Sequence, residues 1–216
     1  AAERQLAALA GLTGGRRADP EQVGAALTAS AEAGRELNQG QAELVTAMAT
    51  SGCRLQLAIA PAGAGKTTAM QALAHAWEHS GGDVLGLAPS AAAAAQLRDQ
   101  TGATTETLAK LAWHLTNTPD ELPDWTRRVG ETTLLVVDEA GMADTMSLAQ
   151  VTSWAVEHGA SVRLIGDDQQ LAAIGAGGVL RDIETTHGCV RLSELMRFSD
   201  PAARSCRWGD GHGVPT

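Results

Sequence analysis

Lys66 and Thr67 follow a run of small residues, Ala62, Gly63, Ala64 and Gly65, and with Thr68 they open a helical pattern. Small residues let successive backbone N–H groups curl round an anion. A lysine at the end of such a loop reaches the β and γ phosphates of a nucleotide, and the hydroxyl after it holds Mg²⁺. The helix beginning near Lys66 adds the positive end of its dipole. The pattern is a P-loop with one departure: Ala60 stands where G-x-x-x-x-G-K-T has its first glycine. That position ends the preceding strand, and alanine fits it when φ is negative. A glycine-rich turn without a ligand would leave the coincidence of strand, loop, Lys-Thr and helix unexplained.

Other residues have types suited to the same chemistry. Asp138 and Glu139 close the apolar run TLLVVDE; an aspartate there can hold the water shell of Mg²⁺, and the glutamate can polarise an attacking water. Gln170 follows the run SVRLIG and is placed to sense a γ phosphate, and Arg197 follows CVRLS, where it can complete a charge clamp. A surface ion pair is the plain alternative for Arg197. Gln41 offers a donor and an acceptor that suit an adenine edge; a surface glutamine is its alternative. Ser90, after Pro89, reads equally as a helix cap and as a contact for a phosphate. Thr107 and Lys110 can touch a phosphate chain, although a solvated face accounts for Lys110. His75 and His79 share a helix face, but no third ligand accompanies them, so they read as solvated.

These residues need a scaffold that brings strand ends together. Apolar runs at 55–60, 83–88, 133–139 and 161–166, with a short one at 189–193, read as strands buried on both faces, the mark of a parallel sheet. Helices are expected over 66–80, 91–100, 104–116, 144–158 and 179–187, with Gly175, Gly177 and Gly178 forming a loop before the last. Ahead of the first strand, 37–50 reads as a helix capped by Asn38, and 2–11 and 20–34 as two short helices. Residues 117–131 read as a loop, and 201–216 as a tail without periodicity. In open parallel sheets ligands bind beyond the carboxyl ends of the strands, where Lys66, Ser90, Asp138, Glu139, Gln170 and Arg197 fall.

The chain has 216 residues and a net charge of −9, so no general nucleic-acid footprint exists; any such site is a local groove on an acidic body. Tyrosine is absent, and five tryptophans and Phe198 are the only aromatic platforms for bases. Three widely spaced cysteines suit a reducing, cytoplasmic compartment and no zinc ribbon, and no stretch reads as a signal peptide or a membrane span.

The ordered series of motifs resembles the first RecA-like domain of superfamily 1 helicases of the 5′-to-3′ class, and looks closest to the helicase part of MobF-type conjugative relaxases. APAGAGKTT, LAPSAAAAAQL, ETLAKL, VVDEAGM, GDDQQL and LSELMRF carry the resemblance, with Gln41 ahead of them. It implies an α/β P-loop NTPase fold, a mostly parallel sheet with helices on both faces and a small helical N-terminal extension. The expected domains are an extension at 1–35, an ATPase lobe at 36–200 and a tail at 201–216 leading toward a second lobe. The resemblance assigns ATP to Gln41, Gly63, Ala64, Gly65, Lys66, Thr67, Thr68 and Asp138, and Mg²⁺ to Thr67 and Asp138. Catalysis falls to Lys66, Glu139, Gln170 and Arg197, and single-stranded DNA to Pro89, Ser90 and Thr107.

The implied function is the motor lobe of an ATP-dependent DNA helicase, with a second RecA-like lobe as its partner and no membrane involvement. Unwinding by this segment alone is not expected, and 117–131 leaves little room for a strand-separating hairpin. The relaxases' nicking module, which uses tyrosines, has no counterpart here. A second reading is a vestigial module that binds single strands without ATP; Lys66, Thr67, Asp138, Glu139 and Gln170, all present, argue against it. An unrelated P-loop ATPase or kinase would lack GDDQQL and LSELMRF.

Overall fold

The structure, a computed structural model, describes residues 2–61, 63–167, 169, 171 and 176–192. Six strands form one sheet: β1 (Leu55–Ile59), β2 (Asp83–Ala88), β3 (Thr104–Thr107), β4 (Thr133–Val137), β5 (Ser161–Gly166) and β6 (Val190–Arg191). All pairings are parallel, in the order β3-β2-β4-β5-β1-β6. The central strands are buried on both faces, β4 and β5 along their whole length, as expected where helices cover both sides of a sheet.

Eight α-helices are found among the described residues: α1 (Ala2–Ala10), α2 (Pro20–Glu32), α3 (Gln39–Thr50), α4 (Lys66–His79), α5 (Ala91–Thr101), α6 (Leu108–Asn117), α7 (Thr145–Glu157) and α8 (Gly177–His187). One core joins α1, α6, α7 and α8 to one face of the sheet through Leu6, Leu111, Leu148 and Leu180. The other joins α2, α3 and α4 to the opposite face through Val23, Leu44, Leu73 and Trp77. The two α/β layers that the apolar runs imply are therefore both present.

Two local expectations are corrected. Residues 104–116 do not form one helix: Thr104–Thr107 is the parallel edge strand β3, and Thr107 then caps α6 by accepting the Lys110 N–H at 3.2 Å. β-branched threonines favour the strand, and the edge position tolerates their polarity. At the other end, Gly177 and Gly178 belong to the first turn of α8 rather than to the loop before it.

Residues 2–35 do not hang off the sheet. Helix α1 packs on α7 and α8, where Gln5 Nε2 donates to Ser153 Oγ at 2.6 Å. Helix α2 packs on α4 and α3, across the sheet. The connection between them is stitched beneath β1 by Arg54 N–H to Leu12 O at 2.9 Å, Gly15 N–H to Gly52 O at 2.8 Å and Ala18 N–H to Ala49 O at 2.9 Å. Leu6 is fully buried, whereas Leu12 is 45% exposed. Leu6→Ala is expected to destabilise the fold by about 2–5 kcal/mol in urea unfolding, and Leu12→Ala by well under half of that. Equal, small losses would mean that α1 is not docked.

Candidate nucleotide site

The site is assembled at the carboxyl ends of β1, β4 and β5. Strand β1 delivers Ala60, whose N–H bonds Gly166 O of β5 at 2.9 Å, so the loop leaves the sheet from a fixed point. Gly63 and Gly65 have φ of +79° and +80°, a region costly to any residue with a Cβ. A Cβ on Gly63 would meet nothing within 4 Å, so its freedom serves the backbone turn alone. Gly65 is the N-cap of α4 and has no side chain to cap the helix, so the first turn's N–H groups depend on another acceptor. Thr67 is exposed on that turn, and Thr68 and Ala64 are half-buried.

Strand β4 brings in the carboxylates. Asp138 is buried, and its N–H bonds Leu87 O of β2 at 2.9 Å. Its Oδ1 accepts from Lys66 Nζ at 2.8 Å and from the Glu139 N–H at 2.8 Å. The phosphate-loop lysine and the expected metal aspartate are thus in direct contact, two strands apart in the sheet. Glu139 is half-buried and sits at φ +50°, ψ +38°. Among the described residues it is the one non-glycine with positive φ, a conformation costing about 1 kcal/mol or more that is concentrated at functional sites. The turn follows directly on Asp138, which stays on Lys66.

Gln41 lies at 7% exposure. Its Oε1 accepts the Asn38 N–H at 2.9 Å, and its Nε2 donates to Gly65 O at 3.1 Å. Asn38 Oδ1 in turn accepts the Gln41 N–H at 2.9 Å, completing a capping box. The sequence reading of Asn38 as a cap holds; the reciprocal role of Gln41 in that box was missed, although the N-x-x-Q spacing announces it.

Pro89, Ser90 and Thr107 cluster at the ends of β2 and β3, where Ala88 pairs with Thr107. Ser90 Oγ accepts the Ala93 N–H at 3.1 Å, so it acts as a cap. Lys110 Nζ pairs with Glu106 at 2.7 Å on a solvated face. Gln170 and Arg197 lie outside the described residues, as do Ala62, Gly175, Phe198, Cys206 and the tail. The half-buried Cys189 thiol is pushed up to about 12 by desolvation and then by the Glu184 carboxylate. The His75 and His79 rings lie 5.9 Å apart on α4. No helix among the described residues is long and apolar enough to cross a membrane.

The donor set fits a nucleotide with Mg²⁺. An open glycine turn at a helix N-terminus, a lysine, an exposed threonine hydroxyl and two carboxylates converge on one end of the sheet. A parallel sheet with this loop after β1, the Asp-Glu pair after β4 and β5 between them defines a RecA-like P-loop NTPase lobe. The AAA domain profile matches residues 36–212, and the chain belongs to that AAA domain family.

Named relatives agree with the resemblance drawn from the motifs. The conjugal transfer protein TraA of Rhizobium radiobacter is 35% identical over 147 residues, covering 67% of this chain and 12% of TraA. The probable conjugal transfer protein TraA of Sinorhizobium fredii is 34% identical over 146 residues, with the same shares. The ATP-dependent RecD2 DNA helicase of Deinococcus radiodurans is 30% identical over 176 residues, covering 77% of this chain and 22% of RecD2. The chain thus spans about an eighth of the length of the TraA proteins, 12%.

Proposed function

We propose that this chain is the ATP-binding motor lobe of an ATP-dependent DNA helicase, part of a cytoplasmic conjugative relaxase that acts on single-stranded DNA together with a second RecA-like lobe. The observation that carries the reading is the contact between Lys66 and Asp138 at the mouth of the glycine turn. Such a pair has a use when a triphosphate enters: the ammonium turns to the β and γ phosphates and the carboxylate is released for a cation. Gly63, Ala64 and Gly65 present backbone around the phosphates, with Thr68 beside them on α4. Thr67 and Asp138 would hold Mg²⁺, which when bound neutralises phosphate oxygens. Glu139 accepts the proton of a water whose oxygen attacks the γ phosphorus, and the bond to the β–γ bridging oxygen breaks to release ADP. Gln170 and Arg197 sense the γ phosphate in this reading, and the chain ends of β2 and β3 at Pro89, Ser90 and Thr107 face the DNA backbone.

Calorimetric titration with Mg²⁺-ATP tests the proposal. Binding by the chain is expected, with Lys66→Ala weakening it about 100-fold or more, as loss of a charge-assisted contact in a shielded site requires. No binding by the chain, together with single-strand affinity that ignores nucleotide, would point to the vestigial module instead.

A further inference from the structure

Burial ranks the tryptophans in a way that sequence cannot. Trp77 is fully buried, and Trp125 and Trp154 pack against a core, whereas Trp113 on α6 is 56% exposed. The His114 ring stands at 85° to the indole with centroids 5.1 Å apart, so it does not stack on it. An open indole can take any base, because every base has a π-face. Trp113 has company: Met142, in the turn after Glu139, and Met146, on the first turn of α7, are also exposed.

We propose that Trp113 stacks on a base of single-stranded DNA and carries the strand past Thr107 along α6. Thr107 caps this helix, and Lys110 and Trp113 follow it at i+3 and i+6. Those spacings put the three on one side of the helix, with the ring about 9 Å along the axis from the cap. Lys110 and Trp113 are both exposed, so a cation and a ring succeed one another on a stripe that starts at the carboxyl end of β3. A single-strand track needs that alternation, a charge for the phosphate and a platform for the base. The ion pair of Lys110 with Glu106 is itself solvated, and such a pair holds the ammonium only weakly against a phosphate.

The neighbouring helix extends the surface. Gln150 Nε2 donates to Thr116 Oγ1 at 3.0 Å, tying α7 to α6. Both helices leave the carboxyl ends of parallel strands, so they run the same way. One turn back from that bond stand Trp113 and Met146, at the same height on adjacent helices. On a chain of net charge −9, the stripe is a local one, continuous with the residues already proposed to face the DNA backbone.

The proposal rests on the DNA reading above, and the test separates the two. A labelled thymidine oligonucleotide and an abasic one of equal length are titrated into the chain without nucleotide, followed by anisotropy. Trp113→Ala is expected to weaken the thymidine complex about 5- to 100-fold, the size of one lost stack, and the abasic complex less than twofold. Trp113→Phe, which keeps a ring, is expected to restore most of the loss. Lys110→Ala is expected to weaken both complexes alike and to reduce the slope of log affinity against log salt by about 0.7. Tryptophan emission gives a second readout: the thymidine strand quenches it, and Trp113→Phe removes most of that quenching. The exposed position makes misfolding of Trp113→Ala unexpected, and an unchanged urea midpoint checks this.

Equal losses on both oligonucleotides in Trp113→Ala would overturn the stack, as would undiminished quenching in Trp113→Phe. Salt-sensitive binding that Trp113→Ala leaves unaltered would overturn this proposal alone and keep the DNA reading. A chain with no affinity for either oligonucleotide at low salt would overturn the DNA reading, and this proposal with it.

Discussion

Glu139→Gln is expected to lower kcat for ATP hydrolysis by about 10²- to 10⁴-fold, the range for loss of a general base, with ATP affinity changed less than twofold. The split follows from the geometry. In the proposed reading Lys66 and Asp138, which meet at 2.8 Å, do the binding; Glu139 touches this pair through its backbone N–H on Asp138 Oδ1. Glutamine keeps the side-chain shape and that N–H while removing the basic oxygen. Phosphate release by the full-length protein, with affinity read by calorimetry, checks both halves. An unchanged kcat would move the base elsewhere. A large loss of affinity would mean that Glu139 positions the loop instead of accepting a proton.

Arg163→Met is expected to destabilise the fold by about 3–5 kcal/mol or prevent folding, measured as the shift in urea midpoint with the slope unchanged. Arg163 is fully buried in β5. Its guanidinium donates to Met48 O at 2.9 Å, Cys53 O at 3.0 Å, Val162 O at 2.9 Å and Ser51 Oγ at 3.2 Å. Two of these acceptors, Met48 O and Ser51 Oγ, belong to the end of α3 and its C-cap, so the arginine fastens the helix to the sheet. Methionine fills much of the volume but leaves those carbonyls without their donor, at about 1–3 kcal/mol for each buried group. Because α3 also carries Gln41 at its other end, this variant tests whether the scaffold and the loop are one mechanical unit. A cost below about 1 kcal/mol would show that water replaces the guanidinium.

The strands that bear the site were legible because their residues are apolar on both faces, a pattern that few other settings permit. The placement of Lys66, Asp138 and Glu139 just beyond the ends of β1 and β4 was legible because each follows an apolar run. Strand β3 escaped notice because TTET is polar and runs directly into the stronger helical periodicity of LAKLAW. An edge strand gives no two-faced signal to read. Arg163 sits inside SVRLIG, and sequence pattern alone cannot distinguish a charge to be tolerated from one that ties several carbonyls together. The direction of the Gln41 amide was likewise closed to sequence, since one N-x-x-Q serves a helix cap and a base edge alike. That α1 and α2 straddle the sheet rests on burial of single residues such as Leu6 and Val23, in helices whose small alanine faces carry weak periodicity.

The place of β1 in the sheet has a temporal meaning. Its partners on either side are β5 and β6, the last two strands of the described chain to be made, with Leu55 beside Val162 and Ile59 beside Arg191. Among the described residues no hairpin zips the sheet locally, and each parallel pairing needs a crossover. During synthesis the phosphate loop therefore emerges early but has no cradle until β5 arrives to fix Ala60 on Gly166. Until then LQLAIA is an apolar strand with both edges unpaired, the kind of segment that chaperones hold and that aggregates when they do not. The element that would grip the nucleotide is thus made early and seated late, by strands that follow it in the chain by about a hundred residues.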